Sequence, residues 1–299
     1  MDATIGKSWY NGLQASLNQR LTRGLEFQAA YTWSHSEDTG EGQSNTGDCT
    51  IPSIQRGQNP YVPVRDNIGP SCWDLRHNFR LNVVYRLPGV SRNGVAGKLL
   101  NGWWVSSIVS AQTGFPFSPV PGISRSAATN AVAELINVNT ATVAPGQPGP
   151  DGSVNTTSKT FIPFNAATVI TGGVSQWYNP LMFSLQPVAP CPNNPALSCS
   201  TIGNEGRGIL RGPGLQDTDV SLVKDTKLGF LGEQGSLQFR VELFNVFNHP
   251  NFGMPSGTAF AGSLSDRGAY SEAPASTAGQ ITSTVSTSRQ LQLALKIVF

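Results

Sequence analysis

The chain has 299 residues, of which 13% are charged and 38% are hydrophobic, and its formal net charge at pH 7 is +2. This charge gives no argument for a nucleic-acid partner, and no stretch approaches the ~20 continuous apolar residues of a membrane helix. The 32 glycines and 21 prolines indicate many strands joined by long loops rather than a helical enzyme core.

Two segments near the start of the chain alternate between apolar and polar residues, and they predict the first two strands. In the first, at about 8–20, Leu13 and Leu17 lie on one face while Gln14 lies on the other. The second, at about 25–34, repeats the pattern with aromatic residues at its far end. A period of two with one apolar face is the signature of a strand.

The same alternation predicts five further strands. They span about 75–87, 103–113, 215–224, 236–248 and 289–299. In the last of them, Leu295, Ile297 and Phe299 share the apolar face. A strand that is apolar on one face, polar on the other and ends on Phe is typical of the closing strand of an outer-membrane β-barrel.

Long and short connections alternate along the chain. The long ones, rich in Gly, Pro, Asn, Ser and Thr, lie at about 35–74, 114–213 and 249–288. Outer-membrane barrels have short periplasmic turns and long extracellular loops. The predicted fold is therefore all-β, an antiparallel transmembrane β-barrel located in the outer membrane, whose wall contacts lipid.

The number of predicted strands is odd, whereas a bacterial barrel of this kind has an even number. If the last strand ends in the periplasm, the first strand also descends. We therefore expect residues 1–299 to form one partial barrel domain, the carboxy-terminal portion of a larger barrel. The start of the chain has no apolar signal-peptide core, so either a signal has been removed or the chain is a piece of something longer.

Four cysteines lie in segments predicted to be loops: Cys49, Cys72, Cys191 and Cys199. In an oxidising compartment, two local disulfides, Cys49–Cys72 and Cys191–Cys199, are the preferred pairing, although four cysteines allow three connectivities. Free loop thiols are the alternative. The spacing fits no zinc site.

No constellation of residues indicates catalysis, a cofactor or a metal, so we expect a protein that is not an enzyme. Asp217 and Asp219 share a strand face, but no partner group or cleft accompanies them, and Arg240 and Glu242 are expected to pair across the polar face. Loops carry recognition, so the candidates for ligand contact are the loop aromatics. These are Phe115, Phe117, Trp177, Tyr178 and Phe183.

Several segments resemble one family, the Oar-like TonB-dependent transporters, and they follow its order along nearly the whole chain. The matching segments are 8–14 (SWYNGLQ), 24–27 (GLEF), 31–34 (YTWS), 74–79 (DLRHNF), 114–117 (GFPF), 210–214 (LRGPG), 239–252 (FRVELFNVFNHPNF) and 289–296 (RQLQLALK). The resemblance implies a large barrel with a plugged lumen, energised from the inner membrane through TonB.

The resemblance also implies partners: a plug domain, TonB acting through that plug, and the barrel-assembly machinery, which would bind the last strand. The chain contains no segment that resembles the plug, the TonB-contacting segment or the carboxypeptidase-regulatory-like domain of the family. A passive porin-like or adhesin-like barrel, which needs no plug, is one alternative function. A secreted β-sandwich that binds carbohydrate is the other, and it would bury its apolar stripes.

Overall fold

The computed structural model contains one large antiparallel sheet and an elaborate set of loops at one end of it. The structure describes residues 7–39, 68–91, 94–122, 135–138, 142–149, 154–185, 190–191, 194–198, 203–229, 232, 235–262 and 272–298. None of the described helices is long and apolar enough to cross a membrane.

Seven long strands form the sheet, and each pairs with its neighbour in chain order. Their bounds are β1 Ser8–Thr22, β2 Leu25–Asp38, β3 His77–Arg86, β4 Trp103–Gln112, β5 Leu215–Lys227, β6 Ser236–Phe244 and β7 Gln290–Val298. All six pairings are antiparallel. The seven predicted strands are therefore confirmed, although β6 ends before the predicted 248 because Asn245 leaves the strand conformation at a φ of 48°.

The register places apolar residues beside apolar residues across the sheet. One row joins Leu17, Ala29, Leu81 and Val109 through successive strand pairs and ends on Thr218 of β5. This row belongs to the face that is apolar in every predicted strand. Because side chains alternate strictly along a strand, one register places the whole apolar set on the same side.

No second layer covers this apolar face in the part of the chain that the structure describes. Leu13 is 62% exposed and Leu293 is 63% exposed, and the other large residues of the face on β1 and β7 are similarly open. A β-sandwich buries its apolar face against another sheet. The β-sandwich alternative is therefore wrong, and the apolar face is suited to lipid.

The opposite face is polar. Its rows include one that joins Ser16, Ala30, Arg80, Ser110 and Asp217. On β6, the predicted pair is confirmed, because Arg240 Nη1 lies 3.6 Å from Glu242 Oε1. In a barrel this is the face toward the lumen.

The connections at one end of the sheet are short. Arg23 and Gly24 join β1 to β2 with φ values of 52° and 86°, as a two-residue hairpin turn requires. A Cβ on Gly24 would lie 2.5 Å from Arg86 O, so glycine is needed there. The connection between β3 and β4 contains one helix, α1 Gly94–Leu100, and residues 228–235 join β5 to β6. We assign this end to the periplasm.

The connections at the other end are long and carry short elements of their own. These are the strands Gly69–Pro70, Pro116–Phe117, Val120–Pro121, Ile136–Asn137, Thr142–Val143, Lys159–Thr160, Phe183–Ser184, Pro190–Cys191, Asn194–Ser198, Leu210–Arg211 and Thr258–Phe260, and the 3-10 helix Pro180–Met182. Gly69–Pro70 extends the large sheet beside β2, while the others form two-stranded pairs.

The hydrophobic core lies in these outer loops rather than in the sheet. Its buried members are Cys72, Phe117, Leu135, Val169, Tyr178, Met182, Phe183, Leu185, Leu210, Ala259 and Phe260. They come from all three long connections. The loops therefore form a packed unit, the outer cap, above the extracellular rim of the wall.

Candidate binding surface in the outer cap

Three of the five candidate aromatic residues form the centre of the outer cap. Phe117, Tyr178 and Phe183 are all buried. The ring of Tyr178 lies 5.8 Å from that of Phe117 and 6.2 Å from that of Phe183. Because they pack against each other and present almost no surface, we revise the prediction for these three and assign them to the core.

Tyr178 also ties two long connections together. Its hydroxyl donates toward Ser256 O at 3.3 Å and Gly257 O at 3.4 Å. Burial raises the pKa of the Tyr178 hydroxyl, and the nearby Glu205 carboxylate raises it further. The neutral phenol is thus kept as a donor, which a buried Tyr needs if its oxygen is to be satisfied.

The other two aromatic candidates remain at the surface of the cap. Trp177 is half-buried, and its indole Nε1 donates to Arg211 O at 2.8 Å. Phe115 lines a cavity of about 320 Å³ where the ends of β4 and β5 meet the loops. Their role as ligand contacts stays a prediction.

This cavity is a candidate binding site formed by described residues. Its lining consists of Cys72, Trp73, Gln112, Thr113, Phe115, Pro213, Gly214, Leu215, Phe252, Met254 and Val285. Most of these side chains are apolar, and ligand pockets are mostly apolar with a few polar groups that orient the ligand. The cavity can hold an apolar group, with Gln112 and Thr113 as the polar contacts.

A buried carboxylate fixes the outer cap to the wall. The side chain of Asp74 is fully buried, and it accepts hydrogen bonds from Ser36 N at 2.7 Å and from Arg211 Nη2. Arg76 Nε lies 3.2 Å away and His35 Nδ1 lies 3.6 Å away. Because Ser36 belongs to β2 and Arg211 to the longest loop, Asp74 joins the wall, the first loop and the second loop at one point.

A second buried ion pair lies at the end of β2. Arg207 Nη2 donates to the Asp38 carboxylate and to Gly69 O, the latter at 2.8 Å. Both side chains of the pair are buried. Buried charges are stable only when they are paired and hydrogen-bonded, so these two pairs hold the cap in place rather than lie open to solvent.

Acid should loosen the Asp74 connection. Burial alone would raise the pKa of Asp74, but the hydrogen bond from Ser36 and the charges of Arg211 and Arg76 outweigh it and hold the pKa below the ordinary 3.8. A carboxylate with a lowered pKa stabilises the fold at every pH above its unfolded value and loses that contribution as pH falls through the folded value.

We therefore expect the fluorescence of the neighbouring Trp73 to be constant from neutral pH down to about 4 and to change only below 3.8. The Trp73 contribution is obtained as the difference in fluorescence between the parent protein and the Trp73→Phe variant. In Asp74→Asn, which has no titrating group at this position, the transition below 3.8 should be absent. The same transition in Asp74→Asn would show that another group causes it.

Three asparagines build the turn that leaves β6. Asn245 Oδ1 accepts from His249 N at 2.9 Å, and its amide Nδ2 donates to His249 O and Thr287 O. Asn248 Oδ1 accepts from Arg289 N at 2.9 Å. Asn251 is fully buried. These bonds satisfy backbone groups that a turn leaves without partners.

Asn251 connects this turn to the wall. Its Oδ1 accepts from Gln216 N at 2.8 Å, at the outer end of β5, while Nδ2 donates to Ser286 Oγ at 2.9 Å. In the sequence, residues 245–248 fall at the end of a predicted strand and residues 249–252 are indicated only by their resemblance to the Oar-like family. The structure gives these asparagines a physical role, which is to anchor the third long connection.

The structure describes two of the four cysteines, Cys72 and Cys191. Cys72 is buried and disulfide-bonded, Cys191 lies in the short strand Pro190–Cys191, and no described cysteine is free. Cys49 and Cys199 lie outside the described residues, as does Phe299 of the last strand. The pairing Cys49–Cys72 and Cys191–Cys199 stays a prediction.

The described titratable residues form no metal site, because no group of three or more His, Cys, Asp or Glu comes together among them. The paired carboxylates of β5 have structural contacts. Asp219 Oδ1 accepts from Asn245 N at 2.9 Å, and Asp217 Oδ1 accepts from Thr218 N at 3.1 Å. The candidate site therefore remains the cavity beside Phe115, whose lining offers mainly apolar contacts.

Comparison with known proteins places this architecture in a family. The family model described as outer membrane beta barrel domain matches residues 1–292. No curated protein and no solved structure matches the chain. The lipid-suited apolar face, the polar opposite face and the alternation of short and long connections agree with that match. The chain therefore belongs to the outer membrane beta barrel domain family, and its place is the outer membrane.

Proposed function

We propose that this chain forms a section of the wall and the outer cap of a TonB-dependent transporter of the Oar-like group. The observation that carries the proposal is the open sheet. Among the described residues, no strand pairs with the outer edge of β1 or of β7. An open edge within a membrane leaves backbone groups without partners, which lipid cannot satisfy.

Strand direction decides what can close the sheet. With six antiparallel pairings in succession, β1 and β7 run in the same direction. Joining them would make a parallel contact, whereas the strands of outer-membrane barrels are antiparallel. A second copy in the same membrane presents the same two edges in the same direction, so it does not help. An odd number of additional strands satisfies the rule, and we propose that they belong to the same transporter.

The partners in this proposal follow from the resemblance. A plug domain would lie against the polar face, where Arg80 and the Arg240–Glu242 pair offer charges. TonB would act through that plug. The barrel-assembly machinery would bind β7, whose alternating Leu295 and Ile297 are exposed. We propose a transport function without catalysis, in which the cavity beside Phe115 contacts an apolar part of the cargo.

The test of TonB dependence is crosslinking in living cells. We expect formaldehyde treatment of cells that express the native gene to give a product recognised by antibodies to both this chain and TonB. An established TonB-dependent receptor in the same cells serves as the positive control. A product with TonB from the control receptor, but none from this protein, would contradict the proposal and favour a passive porin-like or adhesin-like barrel.

A further inference from the structure

The helix α1, at the periplasmic end of the wall, exposes unusually apolar side chains. Val95 is 76% exposed and Leu99 is 64% exposed, and Leu100 is open as well. Val95 and Leu99 are four residues apart and so share one helix face. Their exposure equals that of the lipid-facing leucines on β1 and β7, such as Leu293. Exposed to water, such a group of apolar side chains would favour aggregation.

Hydrogen bonds close the connection that carries this helix. Asn101 closes the base of the connection, since its Oδ1 accepts from Val90 N at 2.6 Å and its Nδ2 donates to Val90 O at 3.1 Å. Asn101 N also donates to Gly97 O at 3.0 Å. A helix this short is marginal by itself, so these contacts fix its position.

The helix lies beside the lipid-facing side of the wall. Trp103 Nε1 donates to Leu99 O at 2.9 Å. In the sheet register Trp103 pairs with Lys224, which pairs with Phe239, which pairs with Leu295. That row belongs to the apolar face. The exposed surface of α1 is therefore continuous with the surface that the membrane covers.

The charges around the helix suit a phospholipid surface. Lys98 lies in the last turn of α1 and is exposed. Lys224 on β5 is buried. Its Nζ lies 5.9 Å from the centre of the Trp103 ring and donates to Asp225 O and Thr226 Oγ1, so Lys98 is the exposed cation beside the helix. Basic residues and Trp at the edge of an apolar band are typical of membrane interfaces.

We propose that α1 is an interfacial anchor that inserts Val95 and Leu99 into the periplasmic leaflet of the outer membrane, with Lys98 at the phosphate groups. The occupant of this surface is the phospholipid leaflet, because the surface continues the lipid-facing wall and carries the exposed Lys98 at its edge. The anchor would fix the depth and tilt of the wall. This inference does not depend on TonB or on the cargo.

The test is the depth of a fluorescent label on the helix. The full-length protein is placed in vesicles of phosphatidylethanolamine and phosphatidylglycerol, with an NBD label on Leu99→Cys or, separately, on Val95→Cys. Some of the lipids carry a nitroxide high on the acyl chain. We expect these two labels to be quenched about threefold more strongly than a label on Ser91→Cys, because an interfacial helix buries its apolar face at the boundary of head groups and acyl chains.

Three controls accompany the measurement. Ser91 is exposed in the same connection but polar, and Leu293→Cys reports a lipid-facing position on the wall. The parent protein, treated with the same reagent, measures background labelling. The proposal is overturned if aqueous iodide quenches the labels at Val95→Cys and Leu99→Cys as strongly as the label at Ser91→Cys, while Leu293→Cys stays protected.

Discussion

Replacing Asp74 with Ala should loosen the connection between the outer cap and the wall. The fully buried carboxylate holds Arg211, Arg76 and the Ser36 N–H together. Its removal leaves the Ser36 N–H and Arg76 Nε without that acceptor, while Arg211 keeps the backbone oxygens of Asp74 and Gly114. Breaking a buried pair from one side costs about 3–5 kcal/mol, but both arginines keep some solvent contact, so we expect about 3 kcal/mol. The loss concerns local opening of the cap, since the strands of the wall pair independently of it.

Hydrogen exchange measures this effect in the full-length protein. Two reporter amides lie close to Asp74, namely Ser71 N, which donates to Ser36 O, and Gly212 N, which donates to Phe115 O. We expect them to exchange about 100-fold faster in Asp74→Ala, since 1.4 kcal/mol corresponds to a factor of ten. Amides in the middle of β3 should be unchanged.

The matched control is Glu37→Ala. Glu37 also lies near His35, at 3.1 Å, but its carboxylate is exposed. An exposed pair contributes about 0–1 kcal/mol, so exchange at the reporter amides should rise by less than about tenfold. If Asp74→Ala and Glu37→Ala behave alike, the buried network does not hold the cap.

Replacing Asn245 with Ala should destabilise the turn between β6 and β7. The substitution removes three hydrogen bonds to His249 and Thr287, and buried groups left without partners cost about 1–3 kcal/mol. Ala must also adopt the positive φ of 48° at this position, which costs a further amount of about 1–2 kcal/mol. We expect the free energy of unfolding to fall by about 2–5 kcal/mol.

A comparison of two substitutions separates these causes. Asn245→Gly loses the same side-chain bonds but adopts a positive φ freely, so it should be less destabilising than Asn245→Ala by about 1 kcal/mol. Denaturant unfolding of the full-length protein from lipid vesicles gives both values. Asn18→Ala, on the exposed polar face of β1, should change stability by less than about 0.5 kcal/mol. Equal values for Asn245→Ala and Asn18→Ala would refute this role.

The wall was predictable because the membrane imposes a simple rule on every strand. Lipid on one side and a polar lumen on the other require strict alternation, and that period is visible in single residues such as Leu293 and Gln292. The observed register agrees with this rule, since Leu293 lies opposite Val241 in the sheet, although alternation alone does not choose between registers shifted by two residues. The observed strands differ from the predicted ones only at their ends, where local hydrogen bonds such as those of Asn245 end the pairing between strands.

The outer cap was not predictable in the same way, because its core has no period. Phe117 and Tyr178 lie 61 positions apart (178 − 117) in a long loop, and no pattern in the sequence around either residue indicates that their rings are in contact. Exposed aromatics in loops suggest recognition, whereas these residues are buried. Asp74 was missed because a charged loop residue is ordinarily solvated. Its only signal was its place in the segment 74–79 that resembles the Oar-like family.

The most direct test of the central claim, that these seven strands are a section of a larger barrel, is the mass of the native product. Outer membranes of the source organism are boiled in detergent and blotted with an antibody against residues 225–235, which lie at the periplasmic end. The account predicts an outer-membrane band far above the 31.8 kDa of this chain. A band at 31.8 kDa would contradict it.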